Sequence, residues 1–197
     1  MPFIDETIIM KKVSTSVCIF CGSRSGINAN FKREAKLLAQ ALTKSQIEIN
    51  YGGGGSGIMG AVASEVIKNE GKILGIIPKF LQKREQHSSN ICETVITANM
   101  HERKKLMYEK SSAFIVMPGG IGTLEEACEI ITWKILRLHN KPIIFINTDQ
   151  FWMPFFNLID HIADNMFIEK DSTTYYKIAK DTQETLLFLK ESNLIVS

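Results

Sequence analysis

Nothing in this chain approaches the roughly 18 consecutive apolar residues of a membrane-spanning helix. The stretch from Met1 to Lys12 lacks the apolar core and cleavage pattern of a secretory signal, so a cytoplasmic location with no membrane association is expected. Cysteine is scarce, with four residues at positions 18, 21, 92 and 128, which fits reduced thiols better than a disulfide scaffold. Cys18 and Cys21 form a CxxC, but no second pair exists to complete a zinc site. Val17 to Phe20 also reads as a strand, which turns positions three apart to opposite faces. Net charge is only +2, and there is no basic stripe with interleaved aromatics, which argues against a nucleic-acid partner. Internal repeats and low-complexity tracts are also missing.

What is present fits one ordinary globular domain. A length of 197 residues suffices for one well-buried core and not for two large ones, and 22% charged with 45% hydrophobic residues is typical of such domains. We expect a polar leader over 1–15 and a single domain over 16–197. Within it, short apolar runs alternate with amphipathic stretches. Ser16 to Phe20, Ile47 to Tyr51, Lys72 to Ile77, Thr94 to Thr97, Ala113 to Val116 and Pro142 to Ile146 read as strands. Between them Phe31, Ala35, Leu38, Ala39 and Leu42 recur at helical spacing, and further helices are expected over 61–68, 100–111 and from the 117–126 loop to about Asn140. Two more follow, one carrying Trp152, Phe155, Phe156, Leu158 and Ile159, the other over 183–190. Strands that are apolar throughout, separated by helices, predict an α/β fold: a doubly wound parallel sheet with helices on both faces. Ligands of such sheets bind at the carboxyl ends of the strands.

That edge is where glycine concentrates. Three loops follow strands: 22–26, 52–60 and 118–122. The third, Met117-Pro118-Gly119-Gly120-Ile121-Gly122-Thr123-Leu124-Glu125-Glu126, leads directly into a helix. Its glycines let the backbone approach a ligand and leave amides free for an oxyanion, and a helix N-terminus adds partial positive charge. Glu125 and Glu126 are expected in the first helical turn; they either complement the helix dipole or do chemistry. On the helix beginning at Met100, Arg103 shares a face with Met100 and Met107 at i, i+3 and i+7 spacing, while Lys105 points elsewhere. A cation on an apolar face needs an anionic partner, or else must snorkel to solvent. The long polar segment 79–93 contains Arg84, Glu85 and His87.

Taken together, Phe20-Cys21-Gly22-Ser23, Tyr51-Gly52-Gly53-Gly54 through Gly57-Ile58-Met59-Gly60, Met100-His101-Glu102-Arg103-Lys104 and Pro118-Gly119-Gly120-Ile121-Gly122-Thr123-Leu124-Glu125-Glu126 resemble the LOG ("Lonely guy") family, also labelled lysine decarboxylase-like. The resemblance runs from about Val17 to Ile168. It implies a Rossmann-like homodimer that hydrolyses the N-glycosidic bond of a purine nucleoside 5′-monophosphate to free base and ribose 5-phosphate, with no metal and no organic cofactor. Arg103 and Glu126 then form the catalytic pair. Glu85, Lys104, the Gly119 to Glu126 loop (Gly119, Gly120, Gly122, Thr123, Glu125) and Thr132 bind substrate, joined by Gly22, Ser23, Gly53, Gly54 and Met100. Ile121, where many plant members have tyrosine, bears on substrate preference. The implied role for Glu126 agrees with glycosidic chemistry, in which a carboxylate beneath the ring offsets developing positive charge or activates water. The helix N-terminus is expected to favour its ionised form. Arg103 would either neutralise phosphate or hold Glu126. Homodimerisation is expected through the helix carrying Leu124, Ile130, Ile131, Trp133 and Leu136, which is apolar on more than one side. A decarboxylase would need a lysine placed for pyridoxal phosphate, and none is evident. The rival reading is a non-catalytic nucleotide or cofactor-binding module on the same fold, which would need the glycine loops without the arginine and glutamate together.

Overall fold

The short runs rich in Ile, Val and Phe form one seven-stranded sheet in the computed structural model, which describes residues 15–83, 92–169 and 175–195. Residues 1–14 of the expected leader, and Arg84, Glu85 and His87, lie outside the described residues. The strands are β1 (Ser16–Phe20), β2 (Glu48–Tyr51), β3 (Ile73–Pro78), β4 (Glu93–Thr97), β5 (Ala113–Val116), β6 (Ile143–Ile146) and β7 (Lys177–Ala179), in the order β4-β3-β2-β1-β5-β6-β7. Every pairing is parallel, and on β1 Ile19 lies between Tyr51 of β2 and Ile115 of β5. Because β1, β5 and β6 are covered on both faces, they are buried along their whole length.

Six helices supply the cover: α1 (Ala29–Lys44), α2 (Gly57–Lys68), α3 (Met100–Glu109), α4 (Ile121–Ile135), α5 (Met153–Asp164) and α6 (Thr182–Glu191). All five apolar positions expected on α1 are buried, and its N-terminus is capped by the Asn28 side chain, which accepts from the Asn30 amide at 2.9 Å. The α1, α2 and α6 side chains pack with Val17 and Ile19 on one face of the sheet. Those of α3, α4 and α5 pack with Cys18, Phe20 and Phe114 on the other. The expected doubly wound architecture is therefore present, and Cys18 and Cys21 fall in opposite layers as free thiols.

The largest departures from the sequence reading are an added strand and two helix ends. Strand β7 is unexpected: Lys177-Ile178-Ala179 is three residues long, with Lys177 and Ile178 exposed at the sheet edge, too short and too polar to register as an apolar run. Helix α4 stops at Ile135 rather than near Asn140, since Arg137 turns into the left-handed region at φ 59°. Helix α2 starts at Gly57, so half of the expected 52–60 loop is its first turn.

The strand order reverses between β1 and β5. Chains leaving these two strands in opposite directions open a crevice at their carboxyl ends, where ligands of such sheets bind.

Candidate active site

At this crevice the three glycine loops meet. The Gly22 amide donates to the Pro118 carbonyl at 3.1 Å, and the Gly22 carbonyl accepts from Ile58 and Met59 at 3.0 and 3.2 Å. Ser56 Oγ donates to the Ser23 carbonyl at 2.9 Å. The loops after β1, β2 and β5 are thus one hydrogen-bonded unit. Cavities of about 730 and 700 Å³ lie at the opposite, amino end of the sheet, around Glu48, Glu70, Gly71 and Lys72, and hold none of the motif residues.

The glycines in this unit do different jobs. Gly57 has φ +63°, and a Cβ there would strike the Ser23 backbone. Gly53, at φ +76°, would press a Cβ onto Ile77 at 2.9 Å, and Gly54 beside it is buried. The first amides of α2 already bond to Gly22. This loop is closed by packing, and Gly53 and Gly54 lie beneath the surface. Gly120 and Gly122 are the reverse: both are exposed, and a Cβ at either would meet nothing within 4 Å. Gly120 is the N-cap of α4 and offers no side chain to its first amides. Thr123 turns inward, buried, with its hydroxyl where a Gly119 Cβ would lie.

Arg103 and Glu126 come together as the motifs imply. Arg103 Nη2 donates to Glu126 Oε1 at 3.0 Å, with both side chains at most a tenth exposed. Gly52, which the sequence does not single out, makes this possible, because any Cβ there would collide with the Arg103 guanidinium. A glycine directly after a carboxyl-edge strand is the signal that points to it. Met100 lines the same guanidinium, with its sulfur 3.9 Å from Nη1. Of the two jobs open to Arg103, holding Glu126 is the one this geometry displays. Its Nε is buried with no hydrogen-bond partner.

The expectation that the helix N-terminus favours ionised Glu126 is overturned. Because α4 begins at Ile121, Glu125 and Glu126 fall past its first turn, where the dipole effect fades. Burial dominates instead, and although Arg103 pulls the other way, the Glu126 carboxyl is pushed up to about 7. A carboxyl balanced near neutrality suits a group that must ionise in a dry site.

Beside this pair lies a second one. Lys104, the next residue on α3, bridges Glu125 at 2.5 Å and Glu129 at 3.0 Å on α4. Glu129 also escapes the motifs, though its position four after Glu125 places it on the same face. Thr132 stands apart: it is exposed, bonds its hydroxyl to the Cys128 carbonyl, and lies about 9 Å beyond Glu126 along the helix. Of the apolar α4 residues expected at an interface, Ile130 and Ile131 are buried in the core and Trp133 packs edge-on against Tyr108. Leu136 is exposed, together with Ile121 and Leu138.

The residues do not fit a pyridoxal phosphate enzyme. Lys104, the lysine at this site, feels burial that lowers its pKa, but hydrogen bonds to Glu125 and Glu129 outweigh it and raise the pKa, which favours an ammonium over a Schiff-base nucleophile. Among the described residues, no group of three or more His, Cys, Asp or Glu could hold a metal ion, and no helix is long and apolar enough to cross a membrane.

A parallel sheet with a glycine turn and a buried acid–guanidinium pair at its switch point defines a Rossmann-like α/β protein with its candidate site at the carboxyl edge. The chain belongs to the LOG family, whose model, described as "Possible lysine decarboxylase", matches residues 59–188. It is similar to the cytokinin riboside 5′-monophosphate phosphoribohydrolase LOG of Oryza sativa subsp. japonica, 38% identical over 175 residues, which are 89% of this chain and 72% of the relative. It is also similar to the cytokinin riboside 5′-monophosphate phosphoribohydrolase of Rhodococcoides fascians, 31% identical over 191 residues, or 96% of each chain. Among solved structures, the molybdenum cofactor binding protein of Rippkaea orientalis shares the fold, with a TM-score of 0.70 at 19% identity over 91% of this chain and 98% of that one.

Proposed function

We propose that this protein hydrolyses the N-glycosidic bond of a purine nucleoside 5′-monophosphate, of the cytokinin or AMP type, releasing the base and ribose 5-phosphate. The observation that carries this reading is the buried Arg103–Glu126 pair beside an α4 N-terminus left open by Gly120 and Gly122. The phosphate is held by the amides of the Gly119 to Thr123 turn, a remote handle whose binding energy orients the sugar. Glu126, ionised and aligned by Arg103, faces the anomeric carbon. It offsets the positive charge that grows on the ring as the C–N bond breaks, or takes a proton from the attacking water. The water oxygen bonds to the anomeric carbon, and the departing nitrogen gains a proton. Catalysis is assigned to Arg103 and Glu126; Met100 lies against Arg103, Glu125 and Lys104 form the neighbouring pair, Gly22 and Ser23 belong to the loop that joins the Gly119 turn, and Glu85 and Thr132 rest on the family pattern.

The working form is a homodimer. Its support is the apolar surface left on and after α4 by Ile121, Leu136 and Leu138, together with the resemblance. A cytoplasmic location agrees with four free cysteines. Light scattering checks the first point: a dimer is expected, and a monomer near 22 kDa at micromolar concentration contradicts it.

The function itself is tested by incubating the protein with a panel of nucleoside 5′-monophosphates and with adenosine, then separating free base by chromatography. Release from monophosphates and not from adenosine is expected. Equal turnover of AMP and adenosine contradicts the phosphate handle. Binding of monophosphates without release of base points to a non-catalytic module on this fold.

A further inference from the structure

The charges at the site do not balance for a phosphate ligand. Arg103 is engaged by Glu126, and Lys104 by Glu125 and Glu129, so two cations face three carboxylates. A phosphate monoester brings a further charge of about −1.5 to −2. The amides of α4 contribute only partial positive charge. A counter-charge has to come from outside the arginine–lysine motif.

Arg24 is placed to provide it. Among the described residues it forms no ion pair, and it is exposed at the carboxyl edge. Its backbone is fixed between the other two glycine loops. The position of a Gly22 Cβ would lie 3.0 Å from the Arg24 carbonyl oxygen and 3.2 Å from Gly119 Cα. On its other side the Arg24 nitrogen would lie 2.5 Å from a Gly57 Cβ. The preceding carbonyl, of Ser23, is tied down by Ser56 Oγ. Two glycines without side chains thus bring the Arg24 backbone against the Gly119 turn, within reach of a side chain as long as arginine. A guanidinium presents a planar fork that matches phosphate oxygens in pairs.

We propose that Arg24 is a substrate-binding residue that supplies the positive charge for the 5′-phosphate at the α4 N-terminus. This rests on the nucleotide reading above and extends it to a residue outside the motifs. Arg24 does not touch the bond that breaks, so its loss acts first on affinity and only through the phosphate handle on the chemical step.

The test uses the full chain, Arg24→Gln and Arg24→Lys. Calorimetry with ribose 5-phosphate is expected to show affinity falling about tenfold or more in Arg24→Gln, the scale of one lost charge-assisted hydrogen bond, with part restored in Arg24→Lys. KM for AMP should rise by a similar factor, with a smaller fall in kcat. Unchanged ribose 5-phosphate affinity overturns the proposal, as does a loss that Arg24→Lys, which keeps the positive charge, does not restore in part. If the wild-type chain binds ribose 5-phosphate but releases no base from any monophosphate, the hydrolase reading fails while the calorimetric comparison still decides Arg24. If it binds no ribose 5-phosphate at all, both fail.

Discussion

Two loops of this protein look alike in sequence and are opposites in the fold. Gly52 to Gly60 and Gly119 to Gly122 both follow an apolar strand, both are dense in glycine, and both lead into a helix. In the first, a side chain at Gly52, Gly53, Gly57 or Gly60 would strike a neighbour, and the opening amides of α2 are bonded to Gly22. In the second, Gly120 and Gly122 face open space. Glycine in the first loop brings backbones together, and Gly120 and Gly122 in the second leave a helix N-terminus uncovered. A residue type thus names a permission, and the atoms opposite decide its use.

The same contrast separates the Arg103–Glu126 pair from the Lys104 pairs that also link α3 to α4. Arg103–Glu126 is nearly sealed from water, whereas Lys104–Glu125 has a carboxylate side chain half exposed. An exposed pair contributes little, while a buried one is costly to break. Replacing Glu126 by Gln should therefore lower turnover of a nucleoside monophosphate about a hundredfold or more with binding retained, since the phosphate donors remain. Glu125→Gln is the control, expected to keep most activity. Steady-state kinetics on both variants checks this, and near-normal turnover in Glu126→Gln would remove the distinction between the pairs.

The loop contrast is broken most directly at Gly57. Alanine there needs a strained positive φ and meets the Ser23 backbone, so a loss of about 3 kcal/mol is expected. Thermal unfolding would show it as a fall of roughly 10 °C for a chain of this size. Gly122→Ala should do the opposite. It gains up to about 1 kcal/mol of helix propensity, so melting is unchanged or raised while KM for the monophosphate increases. Equal destabilisation at both positions would show that the loops are not different in kind.

A smaller effect concerns pH. Glu126 is held up to about 7, and it is needed ionised, so kcat/KM should rise as pH increases through that value and then level off. Lys104 favours ionised Glu126, so Lys104→Gln should move this limb to slightly higher pH. A profile that falls across the same interval would make Glu126 an acid rather than a base or charge stabiliser.

Much of the frame is legible in the residues. The α1 core positions follow from helical spacing, six strands from short apolar runs, and the site edge from where glycine gathers. The rest depends on partners distant in sequence. Lys177-Ile178-Ala179 becomes a strand only because β6 offers it an edge. Arg103 has two equal roles until Glu126 appears 3.0 Å away across two helices. The ionisation of Glu126 follows burial rather than the helix end, and burial is a property of the packed layers. The position of Gly52 directly after a carboxyl-edge strand marks it in the sequence, but its job shows only when the Arg103 guanidinium lies against it.

The central claim is that the α4 N-terminus, and not that of α2, receives the phosphate. Amide-resolved NMR during titration of the labelled protein with ribose 5-phosphate tests it most directly. The account predicts that the signals of Ile121, Gly122 and Thr123 move with saturation while those of Ile58 and Met59 stay in place. Movement of Ile58 and Met59, with α4 undisturbed, would contradict it.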